Sequence, residues 1–152
     1  MALTIQLTVI LSVVLVVGVY WGPWVGLTRS LPDLPVEVFL AVVRRLDTNL
    51  APLMTVLVPV SLAGQIVLVV VSAQQGSVPL TLSAIALALF GVTVVVTMVT
   101  EVPIVKQIVG WTPESMPQGW EAKRDRWMRF HLARVLPGLA SLLLYIAAAI
   151  VR

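Results

Sequence analysis

The sequence predicts an all-α integral membrane protein, a four-helix bundle in which residues 1–152 form a single transmembrane domain. Three observations predict it: 59% of the residues are hydrophobic, only 11% are charged, and the 17 charges are confined to a few segments. Residues 1–28, 49–100 and 135–151 contain no charged side chain. Because a soluble domain carries roughly 25% charged residues, a soluble enzyme, a disordered chain and a nucleic-acid-binding protein are excluded.

The number of spans follows from the lengths of the uncharged segments. A spanning helix needs about 20 mostly apolar residues, and the uncharged residues between 49 and 100 are enough for two. The polar and glycine residues from Ser72 to Ser77 are typical of a tight turn between them. Short amphipathic helices are expected before span two, over Val36–Thr48, and before span four. We predict spans at about residues 3–27, 49–72, 78–103 and 131–151.

The positive charges predict the orientation of the bundle. Nine of the ten Lys and Arg residues lie in the two long loops, and Arg152 alone lies on the other side. The positive-inside rule then places both long loops in the cytoplasm and both termini outside. We expect the plasma (inner) membrane as the location and the lipid bilayer as a partner.

A stripe of small residues runs along span one. Gly18, Gly22 and Gly26 recur every four residues, a spacing that lets a second helix approach closely. We expect this stripe to pack inside the bundle, and the alternative is a homo-oligomer contact through the same glycines.

Ionisable and aromatic side chains coincide where span four begins. On a helix, Trp120, Arg124, Trp127, His131 and Arg134 share one face, because their spacings are four and three residues. Membrane anchoring explains the Trp and Arg residues without any function. However, an ionisable group facing the bundle interior is a functional hypothesis by default.

A carboxylate at the end of span three completes a possible acid–base site. Glu101 and His131 would transfer protons, and Arg134 would hold an enolate or phenolate oxygen. Such a set suits proton abstraction from an acidic carbon of an apolar substrate. The chain has no cysteine and one histidine, so no metal site is predicted. The candidate catalytic residues are Glu101, His131 and Arg134, and the candidate substrate-binding residues are Asn49, Trp127, Arg124 and Trp21.

The last third of the chain resembles a known family. The residues concerned are Glu101-Val-Pro-Ile, Trp111-Thr112, Pro117, Trp120, Arg124-Asp-Arg-Trp127, Phe130-His131 and Arg134, preceded by Asn49-x-x-Pro52. They resemble the anthrone oxygenase-like family of small four-span membrane proteins. The resemblance implies oxidation of anthrones to anthraquinones without a conventional cofactor. Many relatives carry Asn in place of Glu101 and a second Asn shortly after the proline, where this chain has Val105 and Lys106.

Two functions are compatible with these observations. The first is a membrane-embedded oxidoreductase that acts on a hydrophobic aromatic or quinone-like small molecule and whose cofactor, if any, is unknown. The second is a non-enzymatic four-helix membrane accessory, lipid-binding or assembly protein, in which the same polar face is structural.

Overall fold

The computed structural model describes residues 2–151, and no strand occurs in that range. Five α-helices follow one another: α1 (Ala2–Gly26), α2 (Val36–Ser72), α3 (Ser77–Val96), α4 (Val102–Val109) and α5 (Trp120–Ile150). A π-helical turn, Thr97–Glu101, joins α3 to α4, and 3-10 turns cover Thr28–Asp33 and Pro113–Ser115. The all-α fold class is confirmed.

Four helical segments are long and apolar enough to cross a membrane: Leu3–Asp33, Val36–Ser72, Ser77–Val109 and Trp120–Ile150. Many of their large aliphatic side chains are exposed, for example Val56, Val99 and Leu143. Exposure of so many apolar side chains to water would be unfavourable, whereas in a bilayer they contact lipid tails. The protein is therefore an integral membrane protein. Arg152, on which part of the predicted orientation depends, lies outside the described residues.

The two amphipathic segments are not separate helices, because each continues into the following span. The predicted helix Val36–Thr48 is the first part of α2, which has 37 residues, and the segment from Trp120 onward is the first part of α5. Asn49 therefore lies inside a helix. Phe39 and Val43 pack in a buried cluster with Ile104, Ile108 and Trp127, which holds the first part of α2 against α4 and α5.

The glycine stripe does not pack inside the bundle. A Cβ atom added at Gly18, Gly22 or Gly26 would meet no other atom within 4 Å. The expectation that these glycines serve packing within the chain is wrong. The close approach occurs at Gly138 instead, where an added Cβ would lie 3.3 Å from Val17 Cγ2 and 3.5 Å from Thr93 Oγ1.

Neutral polar side chains form a buried chain of hydrogen bonds in the bundle core. The Tyr145 hydroxyl donates to Gln65 Oε1 at 3.1 Å, and Gln65 Nε2 donates to Ser61 Oγ at 3.1 Å. Ser61 Oγ is also 3.1 Å from Ser12 Oγ. We call these four residues the Gln65 network. It links α1, α2 and α5 by side-chain hydrogen bonds, as polar residues commonly do between helices in membranes.

Candidate functional site

Glu101 occupies the last position of the π-helical turn. Pro103 has no N–H to donate to the carbonyl of Val99, so the α-helical pattern cannot continue unchanged here. The Val102 N–H bonds instead to the carbonyl of Thr97, five residues earlier. Turns of this kind are frequent at functional sites. The Glu101 carboxylate is buried, with 2% of the residue exposed.

Three side chains of α5 converge on one oxygen of this carboxylate. Trp127 Nε1 donates to Glu101 Oε2 at 2.9 Å, and Arg134 Nη2 lies 3.1 Å from the same oxygen. His131 Nδ1 is 3.4 Å away from it. We call Glu101, Trp127, His131 and Arg134 the Glu101 cluster. The structure thus brings together the three residues that the sequence proposed as catalytic.

The hydrogen bonds of His131 define its protonation. Its Nε2 is 2.9 Å from the backbone carbonyl of Tyr20, which can only accept, so Nε2 carries a hydrogen. Its Nδ1 is 2.8 Å from Arg134 Nη2, which can only donate. Nδ1 is therefore the acceptor, and the ring is the neutral Nε2–H tautomer.

Helix α1 supplies the aromatic side chains around the cluster. The guanidinium carbon of Arg134 lies 4.2 Å from the centre of the Tyr20 ring. The Trp24 ring stacks on His131, with 6.3 Å between ring centres and 16° between ring planes. Trp21, which the sequence proposed as a substrate-binding residue, is 44% exposed and faces away from the core. Tyr20 and Trp24 continue the inward face of Val13 and Val17 at spacings of three and four residues, a signal that sequence reasoning missed.

Two further predicted residues are also outside the cluster. Arg124 pairs with Asp125 at 2.9 Å and lies over the ring of Trp120. It precedes His131 by seven residues, which is about 10 Å along a helix. Asn49 is exposed on α2. Neither side chain makes a hydrogen bond or an ion pair with the Glu101 cluster in the part of the chain that the structure describes.

The hydroxyl groups of α3 and the π-helical turn approach Arg134. Thr93 Oγ1 donates to the backbone carbonyl of Arg134 at 3.0 Å, and Arg134 Nη1 lies 3.5 Å from Thr97 Oγ1. The spacing of Thr93, Thr97 and Glu101 thus gives one face directed at α5. These threonines position Arg134 and were not among the predicted site residues.

Two polar atoms of the cluster have no partner among the described residues. They are Glu101 Oε1 and Arg134 Nε, and both are buried. Buried polar atoms are nearly always hydrogen-bonded, so each exception calls for an explanation. One is an acceptor and the other is a donor. A small molecule that offers one acidic hydrogen and one negatively charged oxygen could satisfy both. Within residues 2–151, no group of three His, Asp or Glu side chains is placed to hold a metal ion.

A family model described as anthrone oxygenase matches residues 39–144. This chain belongs to the anthrone oxygenase family. The matched range runs from α2 into the second half of α5, and it contains all four members of the Glu101 cluster. Tyr20 and Trp24 precede the range matched to the anthrone oxygenase family. Neither the search of curated proteins nor the search of solved structures returned a match.

Proposed function

We propose that this protein is a membrane-embedded oxygenase that removes a proton from an acidic carbon of a hydrophobic aromatic, quinone-like substrate. Glu101 is the base. The observation that carries the proposal is the asymmetry of its carboxylate. Oε2 is held by the donors of Trp127 and Arg134, whereas Oε1 is buried and has no partner within residues 2–151. Oε1 is therefore the atom free to take a proton.

The other residues of the cluster complete the chemistry. When Oε1 removes the proton, the electron pair moves to the carbonyl oxygen of the substrate, and the Arg134 guanidinium stabilises that oxyanion. The neutral His131 ring offers Nδ1 as a second proton acceptor, 3.4 Å from Oε2. Tyr20 and Trp24 provide aromatic surfaces for a flat substrate.

Molecular oxygen is the co-substrate of the proposed reaction. The carbanion adds to O₂ to give a peroxide anion at the same carbon, and this anion takes back the proton held by Glu101 to form a hydroperoxide. Loss of water from this hydroperoxide leaves a carbonyl group. For anthrone, the methylene carbon loses two hydrogens and gains one oxygen atom, and the second oxygen atom leaves with those hydrogens as water. Membership of the anthrone oxygenase family supports this reaction class.

The test is anthrone oxidation by the purified protein in nanodiscs, followed by oxygen uptake and by quinone absorbance. We expect the wild-type protein to exceed empty nanodiscs, and Glu101→Gln to lower kcat by about 100- to 10,000-fold, the usual range for a lost general base. Glu121→Gln is the matched control, because Glu121 is an exposed acid at the start of α5. Circular dichroism and gel filtration establish that each variant is folded.

Wild-type protein no faster than empty nanodiscs would overturn the proposal. That result would favour the non-enzymatic accessory or lipid-binding role. Equal rates for wild type and Glu101→Gln would instead remove Glu101 as the base.

We also propose that the end of the bundle containing α4 and the start of α5 faces the cytoplasm. The nine Lys and Arg residues of the two long loops support this orientation. A C-terminal reporter that is active only outside the cytoplasm is expected to be active, and an inactive one would contradict the topology.

A further inference from the structure

An open groove lies beside the Glu101 cluster, between the end of α1 and the first half of α5. It has a volume of about 480 Å³ and is lined by Trp24, Asp125, Met128, Arg129 and Leu132. Sites for small molecules typically measure about 300–1,000 Å³. The four residues from α5 are spaced by three, one and three positions, so they form one continuous face of that helix.

The groove combines an apolar surface with one unpaired positive charge. Trp24, Met128 and Leu132 provide the apolar part. The Asp125 carboxylate is paired with Arg124 at 2.9 Å, whereas Arg129 has no ion-pair partner in the part of the chain that the structure describes. This combination is complementary to a flat apolar molecule that carries an acidic oxygen, such as a phenol.

The Trp24 indole connects the groove to the buried cluster. It lines the groove and also stacks on His131, with 6.3 Å between the ring centres. His131 in turn contacts Arg134 and Glu101. A molecule in the groove is therefore separated from His131 by this indole.

The backbone around Trp24 is suited to movement of its side chain. Trp24 lies in the last turn of α1, shortly before the 3-10 turn Thr28–Asp33. Pro23 has no N–H for the carbonyl of Val19, which removes one hydrogen bond from this turn. Gly22 and Gly26 flank the segment and have no side chain to pack. The indole is partly exposed and lines the groove, and its rotation must break its stacking on His131 and its packing against the hydrophobic core.

We propose that this groove is the substrate entrance of the protein. A flat aromatic molecule with an acidic oxygen binds there from the bilayer, with its oxygen at Arg129, and reaches the Glu101 cluster when the Trp24 indole turns aside. The inference deepens the proposed function and rests on it for the chemistry, but the binding step can be measured without turnover.

The first test measures equilibrium binding to the protein in nanodiscs, with empty nanodiscs subtracted. The probes are 2-hydroxyanthraquinone and the neutral anthraquinone. Leu132→Trp fills the groove and is expected to weaken the binding of both probes by about tenfold or more. Leu136→Trp is the control, because Leu136 is exposed one turn further along α5 and does not line the groove. Unchanged binding to Leu132→Trp would overturn the inference.

Arg129→Gln tests the recognition of the acidic oxygen. We expect this change to weaken 2-hydroxyanthraquinone binding by about tenfold, the effect of losing a hydrogen bond to a charged group, and to leave anthraquinone binding unchanged. Arg126→Gln is the matched control, since Arg126 is exposed, lies over Phe130 and is not part of the groove. An equal loss for both probes would contradict a contact between Arg129 and the oxygen.

Turnover separates the failure of this inference from that of the proposed function. If the groove is the entrance, Leu132→Trp raises KM for anthrone more than it lowers kcat, whereas Glu101→Gln lowers kcat. If Glu101→Gln abolishes turnover while Leu132→Trp changes neither binding nor KM, the function stands and the entrance lies elsewhere. If Leu132→Trp blocks binding but the wild-type protein does not oxidise anthrone, the groove is confirmed as a binding site and the proposed reaction is wrong.

Discussion

Two groups of buried polar residues differ in how completely their atoms are paired. The Gln65 network is neutral, and each of its four side chains has a hydrogen-bond partner. The Glu101 cluster contains a carboxylate and a guanidinium, and each of these groups has one buried atom with no partner in the described part of the chain. The first arrangement is paired by hydrogen bonds within the chain, whereas the second leaves one acceptor and one donor without a partner among the described residues.

The energetic difference favours a structural role for one group and a chemical role for the other. A side-chain hydrogen bond between membrane helices contributes about 0.6 kcal/mol on average. A buried ion pair can cost more in desolvation than it returns, and apolar side chains of the same size often stabilise a protein better. A bundle that needed only links between its helices could use neutral pairs throughout. Under the proposed function, the charges of Glu101 and Arg134 provide chemistry that neutral residues cannot.

The largest expected effect on the free energy of unfolding comes from removing only one of those two charges. Arg134→Met leaves the Glu101 carboxylate buried without its cation, and we expect a loss of about 3–5 kcal/mol in the free energy of unfolding. The double variant Glu101→Leu/Arg134→Met removes both charges and is expected to return to within about 1 kcal/mol of wild type. Denaturant titration in detergent, followed by circular dichroism, measures these values.

The double variant is also the sharpest separation of fold from function. It is expected to be stable and inactive in anthrone oxidation. A stable double variant that retained wild-type turnover would show that the ion pair serves the fold alone. An unstable one would show that the bundle depends on the charges themselves, and the distinction between the two polar groups would disappear.

The sequence predicted one side of the site much better than the other. Trp127, His131 and Arg134 share a face of α5 because of their spacing, and Glu101 is conspicuous as a charge that ends an apolar span. Helix α1 gave a much weaker signal, since it is apolar on nearly every face and only the spacing of Tyr20 and Trp24 with Val13 and Val17 marks the inward one. In lipid the exposed face is as apolar as the buried one, so hydrophobicity does not show which face is inside. The sequence therefore does not show that Tyr20 and Trp24, and not Trp21, are the aromatic residues that face the cluster.

The predicted break between the helix Val36–Thr48 and span two is wrong for a different reason. The polar Asn49 and the following Pro52 are typical of a helix start. In the structure the helix continues through both residues, because Phe39, Leu40 and Val43 are buried in the same cluster as Ile104 and Ile108. Tertiary packing thus outweighs the local signal, and such long-range contacts cannot be read from one sequence.

A smaller effect is expected for Tyr145→Phe in the Gln65 network. The change removes the hydroxyl that donates to Gln65 Oε1 and preserves the ring. We expect the free energy of unfolding to fall by about 1 kcal/mol, with anthrone turnover within about twofold of wild type. The same titration and assay apply. A loss of turnover comparable to that of Glu101→Gln would mean that the two polar groups are coupled and that the network is part of the site.

The smallest effect is expected for Asn49→Ala. Asn49 is exposed within α2 and makes no contact with the Glu101 cluster among the described hydrogen bonds, so turnover should stay within about twofold of wild type. Alanine has a helix propensity better than that of asparagine by about 0.5 kcal/mol, and the free energy of unfolding should be unchanged or slightly higher. A tenfold fall in turnover with unchanged stability would contradict this expectation. It would mean that α2 moves toward the cluster during the reaction, because only then could the Asn49 amide contact the substrate.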